Sequence, residues 1–177
     1  MTMDQDQDQA RRIAASAVCV AIDYGGTISD ETRPLLGGSR PVDPACVPVL
    51  RALAGRGLAL ILSSNTADGE DRWPALRAAG ISDVWRAAFM SASVGVRKPD
   101  PAFYRLITAA ANCWPDQVLH IGNNLETDIL GPQRFGMHTA LVRAGGAAED
   151  ERAMLPPGTL VIAHLRELPA LLGWDGG

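Results

Sequence analysis

Short apolar runs, each ending on a polar tip, recur along this chain and alternate with segments of helical periodicity. Ala17-Val18-Cys19-Val20-Ala21-Ile22 is continuously apolar and stops at Asp23, the pattern of a parallel strand buried on both faces. Leu58 to Leu62 repeats it ahead of Ser63-Ser64-Asn65, and Val118-Leu119-His120-Ile121 repeats it again ahead of Gly122. Ala87 to Met90, Thr139 to Val142 and Leu160 to Ala163 read as further strands. The intervening helices carry start and stop signals. Asp43-Pro44 opens one that runs to about Gly57, and Asp100-Pro101 opens another through Ala111, each a capping residue followed by proline at the first turn. Arg72 to Ala79 reads as a helix stopped by Gly80, and Leu165 to Leu172 as the last helix. Glu126 to Phe135 reads as one that Gly131-Pro132 bends or shortens.

Strands alternating with helices predict an α/β fold, a three-layer α/β/α sandwich around a Rossmann-like parallel sheet. Ligands in such sheets bind at the carboxyl ends of the strands. The alternating Asp-Gln tract predicts a disordered tail over residues 1–15, leaving a single domain over 16–174, and Asp175-Gly176-Gly177 is expected to fray.

Composition narrows the function classes. A chain of 177 residues with 47% hydrophobic and 20% charged residues suits one soluble domain with a real core. A net charge of −4 gives no footprint for nucleic acid. No apolar run is long enough to span a bilayer, and no secretory leader pattern opens the chain. Cys19, Cys46 and Cys113 lack metal-ligand spacing and read as reduced thiols, which points to the cytoplasm. The arginine-rich composition suggests a high-GC bacterial genome. Among 16 cationic side chains Lys98 is the one lysine, in Gly95-Val96-Arg97-Lys98-Pro99-Asp100-Pro101. A lysine offers a compact point charge where arginine offers a wide fork.

Three polar clusters stand at strand tips: Asp23-Tyr24-Gly25-Gly26-Thr27, Ser63-Ser64-Asn65-Thr66, and Gly122-Asn123-Asn124-Leu125-Glu126-Thr127-Asp128. If their strands are parallel neighbours, these and Lys98 converge on one crevice. A strand-tip Asp can act as a covalent nucleophile. A Ser-Asn pair offers donors to phosphoryl oxygens, lysine neutralises charge, and further carboxylates can hold magnesium. Plainer roles exist for the others: His120 and His138 as core residues, His164 at the surface, and the four tryptophans as packing.

In order and spacing these motifs resemble the haloacid dehalogenase-like (HAD) superfamily over about residues 17–145. The resemblance implies an Asp23 nucleophile, Ser64 on a phosphoryl oxygen and Lys98 offsetting the charge between them. It implies a Mg2+ site formed by Asp23, the Gly25 carbonyl, Asn123 and Asp128, with Gly26, Thr27 and Asn65 lining the substrate. The segment from Ile28 to Val42, containing Leu36-Gly37-Gly38-Ser39, would form a flap from which Arg33 or Arg40 reaches an anionic substrate. The substrate would be a small phosphorylated compound or a phosphorylated macromolecule. No large insertion separates the motifs, so the chain reads as capless, with an open site that a homo-oligomer or a large substrate would cover.

Two positions depart from the pattern. Gly25 stands where the family's phosphatases carry an Asp as general acid and base, and Asn123 stands where they carry a metal-binding carboxylate. Water or Glu126 is the candidate stand-in at the first. Three readings follow: a magnesium-dependent phosphatase weakened in acid–base catalysis, a binding or regulatory domain that has lost efficient turnover, and a metal-free hydrolase of the dehalogenase type.

Overall fold

The computed structural model describes residues 3–35 and 38–174; Leu36, Gly37 and the Asp175-Gly176-Gly177 end lie outside the described residues. In chain order the main elements are α1 (Met3–Ser16), β1 (Cys19–Ile22), α2 (Cys46–Gly55), β2 (Ala59–Ser64), α3 (Trp73–Ala78), β3 (Trp85–Met90), α4 (Ser91–Val94) and α5 (Pro101–Ala111). They continue with β4 (Val118–Gly122), a π-helical stretch (Leu125–Leu130), α6 (Gly131–Arg134), β5 (His138–Val142), α7 (Glu149–Met154), β6 (Leu160–Ile162) and α8 (Leu168–Leu171). The strands form one six-stranded sheet in the order β3-β2-β1-β4-β5-β6, with every pairing parallel. The three-layer, Rossmann-like expectation holds. The chain steps outward from β1 through β2 to β3, then crosses back to β4 and steps outward the other way, so the strand order reverses between β1 and β4 and opens a crevice at their carboxyl ends.

Period-two alternation divides β1 between two cores. Val20 and Ile22 pack with Leu50 and Leu53 of α2 on one face, while Cys19 and Ala21 pack with Phe103, Tyr104 and Ile107 of α5 on the other. All four β1 side chains are buried, which is why the run is apolar throughout. Asp100 caps α5 as expected, accepting from the Ala102 N–H at 2.8 Å.

The amino-terminal tract departs from expectation. Residues 3–16 form α1, with Ala10 and Ile13 buried and Ala14 and Ala17 packed beside them. The spacing of these four is i, i+3, i+4, i+7, an amphipathic stripe that the Asp-Gln alternation before it conceals. The helix expected from Asp43 begins at Cys46; the Asp43 carboxylate instead accepts from the Ala45 N–H at 2.8 Å. His164 is no plain surface residue, since its Nε2 lies 3.0 Å from Asp43 Oδ2 and ties the end of β6 to the start of α2. Its Nδ1 accepts from the Arg166 N–H, so the ring proton resides on Nε2 and is donated to Asp43. An antiparallel bridge between Ser29 and Val42 closes the base of the flap. No cap domain interrupts the sheet among the described residues.

Candidate active site

Asp23 follows the last residue of β1, and its N–H donates to the Ile121 carbonyl of β4 at 2.9 Å, pinning it to the crevice. Lys98 reaches it from the loop between α4 and α5. The Lys98 ammonium donates to Asp23 Oδ1 at 3.0 Å, to Asp128 Oδ1 at 2.6 Å and to the Ser63 carbonyl at 2.7 Å. Three acceptors match the three donors of an ammonium. The side chains of Lys98 and Asp128 are each 1% exposed and that of Asp23 12%, so the triad is shielded from water. Burial pushes the Asp23 carboxyl above its ordinary value; Lys98 pulls against that shift and the Asp128 charge adds to it. Burial alone would lower the Lys98 ammonium, but the two carboxylates raise it, and it stays charged.

Each partner is held by local structure. The Asn65 amide clamps the Lys98 backbone from both sides, donating to its carbonyl at 2.9 Å and accepting from its N–H at 3.0 Å. The Lys98-Pro99 peptide is cis. Asp128 sits in the π-helical stretch, whose first turn is capped by Asn124 Oδ1 accepting from the Glu126 and Thr127 N–H groups. Its Oδ2 accepts from the Asn124 N–H at 3.0 Å. Asp128 reaches the lysine only because residue 122 has no side chain: a Cβ on Gly122 would fall 2.3 Å from the Asp128 Cγ. Gly26 has φ +65°, and a Cβ there would fall 2.1 Å from the Asn123 amide nitrogen, so the loop after Asp23 and the tip of β4 touch through a glycine.

Ser64 ends β2 with its side chain buried and its Oγ accepting from Arg72 Nε at 3.4 Å. Asp23, Ser64, Lys98, Asn123 and Asp128 therefore gather at one crevice. Other expected contacts resolve differently. The Asn65 side chain is occupied by the Lys98 backbone and acts on the site through that loop. The Gly26 N–H donates to Ser29 Oγ and Glu31 Oε1, at 2.9 and 3.0 Å, and so serves the flap. The Thr27 hydroxyl is buried without a partner among the described residues, and the loop is held by backbone bonds to the Tyr24 carbonyl. Arg33 is exposed and lines a groove of 660 Å³ with Ser39, Pro41, Val42, Pro44 and Pro74, outside the Asp23 cluster. Arg40 pairs with Glu31 at 3.0 Å. Glu126, the proposed stand-in acid, is exposed and pairs with Arg134 at 2.7 Å.

Gly25 is exposed, and a Cβ built on it meets nothing within 4 Å. The space for an acid side chain is present; the side chain is not.

Three participants were not anticipated. His120, fully buried on β4, lies 2.9 Å from Ser63 Oγ through Nε2 and 3.1 Å from the Asp128 carbonyl through Nδ1. A carbonyl can only accept, so Nδ1 carries the proton and Nε2 accepts from Ser63. Burial, reinforced by the Lys98 charge, lowers its pKa to about 3, and the ring is neutral. Ser63 and His120 thus brace the two strand tips behind the triad. Arg72, just before α3, is the third. The signal for the first two was a polar residue inside an otherwise apolar strand; for Arg72 there was none, since arginine abounds in this chain.

Comparison with known proteins bears on the family and the fold. A family model for HAD-hydrolase-like proteins matches residues 95–168. Phosphoserine phosphatase of Thermus thermophilus is 30% identical over 128 residues, which are 72% of this chain and 50% of that protein. The chain spans about half the length of the curated relatives it matches. Among solved structures, an uncharacterized protein from Listeria monocytogenes serotype 4b superposes with a TM-score of 0.72 at 24% identity, covering 89% of this chain and 98% of that one. The 2-haloacid dehalogenase of Pseudomonas syringae pv. Tomato superposes with a TM-score of 0.63 at 27% identity, covering 77% and 55% respectively.

Proposed function

Because the chain belongs to the HAD-like superfamily, we propose that it is a phosphatase that transfers the phosphoryl group of a small ester to Asp23. The buried Asp23–Lys98–Asp128 triad, with Ser64 at the same crevice, is the observation that carries this reading. An Asp23 oxygen bonds to phosphorus as the bond to the leaving oxygen breaks. Lys98 offsets the charge brought together by nucleophile and phosphoryl group, and the Ser64 hydroxyl donates to a phosphoryl oxygen. A water oxygen then bonds to phosphorus, Asp23 departs as a carboxylate, and the water proton passes to solvent. With no side chain at position 25, the leaving group receives no positioned proton. The reaction therefore favours groups that leave as stable anions, such as acyl and aryl phosphates.

The donor set fits magnesium. Asp23, the Gly25 carbonyl and the Asn123 amide oxygen would offer hard oxygen donors, and the Asn123 side chain packs through its amide nitrogen against Gly26, the residue after that carbonyl. Asp128 has both oxygens engaged, by Lys98 and the Asn124 N–H, and supports the site from behind. Bound there, the ion would supply positive charge opposite the phosphoryl oxygens. Asn123 in place of a carboxylate leaves one fewer anionic ligand.

Gly25 and Asn123 together favour a second reading, a domain that binds phosphate and turns it over poorly. One experiment separates the two. Phosphate release is followed from acetyl phosphate, p-nitrophenyl phosphate and sugar phosphates, with and without magnesium, with Asp23→Asn as control. Magnesium-dependent release from the activated esters, absent in the variant, is the expected result. No release above the variant from folded protein defeats the phosphatase reading.

A further inference from the structure

Arg72 joins parts of the molecule that the mechanism leaves separate. It lies in the turn that enters α3, and its side chain is 11% exposed. Its guanidinium donates through Nε to Ser64 Oγ at 3.4 Å, through Nη1 to Ser39 Oγ of the flap at 2.9 Å, and through Nη2 to Glu70 Oε2 at 3.0 Å. Its Cζ stands 4.9 Å from the centre of the Tyr24 ring, beside the nucleophile. Among the described residues, its guanidinium hydrogen-bonds both the flap and the tip of β2.

We propose that Arg72 is a positioning residue that aims the Ser64 hydroxyl at the phosphoryl oxygen and couples the flap to that aim. The inference rests on the phosphatase reading for its consequence, but its geometry concerns phosphate binding alone. A serine hydroxyl has one proton and two lone pairs. With a lone pair of Ser64 Oγ turned toward the Arg72 N–H, its own proton points away from the guanidinium and is available to an incoming acceptor. The positive partner also polarises the O–H bond and strengthens the hydrogen bond it makes to an anion. The Nε contact is long, as such contacts often are before a ligand draws the groups together. Only a planar fork serves Ser64, Ser39 and Glu70 in three directions while stacking on Tyr24; an ammonium does not.

The test is a double-mutant cycle on Arg72→Gln and Ser64→Ala, read both as kcat/KM for p-nitrophenyl phosphate and as affinity for inorganic phosphate by calorimetry. Arg72→Gln is expected to lower both about tenfold, the scale of one lost charge-assisted hydrogen bond. In the Ser64→Ala background the same change is expected to cost less than about twofold, because its target is gone. Arg72→Lys keeps the cation but not the fork, and is expected to follow Arg72→Gln, which keeps the test open if the glutamine variant does not fold. Effects that simply multiply, or an arginine replacement that leaves phosphate affinity unchanged, overturn the proposal. Wild-type protein that binds phosphate with the expected coupling but releases none from any ester defeats the phosphatase reading and leaves the role of Arg72 standing. Wild-type protein that does not bind phosphate defeats both.

Discussion

His120 converts a shift of pH into a loss of stability that can be calculated. The ring is buried and neutral, with a folded pKa of about 3 against an ordinary value of 6.5. Below pH 6.5 the unfolded chain takes up a proton that the folded chain refuses, so the stabilising contribution present at neutral pH is lost as pH falls toward 3. Going from about pH 7.5 to about pH 5 the loss amounts to about 2 kcal/mol. For a chain of this size that lowers the melting temperature by about 4–8 °C. The perturbation is His120→Asn, whose amide N–H stands near the place of Nδ1 and can still donate to the Asp128 carbonyl. Its baseline stability falls by about 1–3 kcal/mol because Ser63 loses its acceptor. The informative quantity is the pH slope. Asp23, with a raised carboxyl, works in the opposite sense, since the folded state takes its proton first as pH falls. That contribution is common to both proteins and cancels in the difference. Urea unfolding at the two pH values should show the wild type losing about 2 kcal/mol more than His120→Asn. Equal losses in the two proteins would refute the assignment of a neutral, buried ring.

Two further outcomes test the site. Gly25→Asp introduces a carboxyl into open space, so it should fold normally and raise turnover of alkyl phosphates by about 10²- to 10⁴-fold while acyl phosphates gain little; a plot of rate against leaving-group pKa that keeps its slope counts against the missing-acid argument. Lys98→Met leaves two buried carboxylates facing each other without their cation, and should lower stability by about 3–5 kcal/mol and remove turnover; a variant that melts with the wild type would mean that the triad is not the buried unit described here.

The parts of this fold that were legible in the sequence are those set by short-range rules. Buried parallel strands are mostly apolar, so β1, β2 and β4 announced themselves even with His120 inside the last, and each ended at a polar tip that the strand order then gathered. Asp100-Pro101 fixed the start of α5 by local chemistry. Helix α1 was obscured because a polar tract precedes the small apolar stripe that docks it. The groups at the strand tips were identifiable by residue type, but their hydrogen-bond partners depend on contacts distant in sequence. Asn65 looks like a phosphate donor until the Lys98 loop, 33 residues on, closes around its amide. Ser63 and His120 are 57 residues apart, and neither strand alone shows that they meet. Arg72 is one of 15 arginines, and only the fold singles it out.

The seam between β1 and β4 has a consequence for how the protein comes into being. Every contribution from the β1–β3 half, Asp23, Ser64 and Lys98, is synthesised before the exposed turn around Trp114, which is 75% exposed; Asn123 and Asp128 are synthesised after it. Until Val118–Ile121 pair with Cys19–Ile22, the leading half carries a cation with one carboxylate and lacks the second. The crevice is thus completed only when β4 pairs with β1, and a chain that has not yet reached β4 carries no competent site.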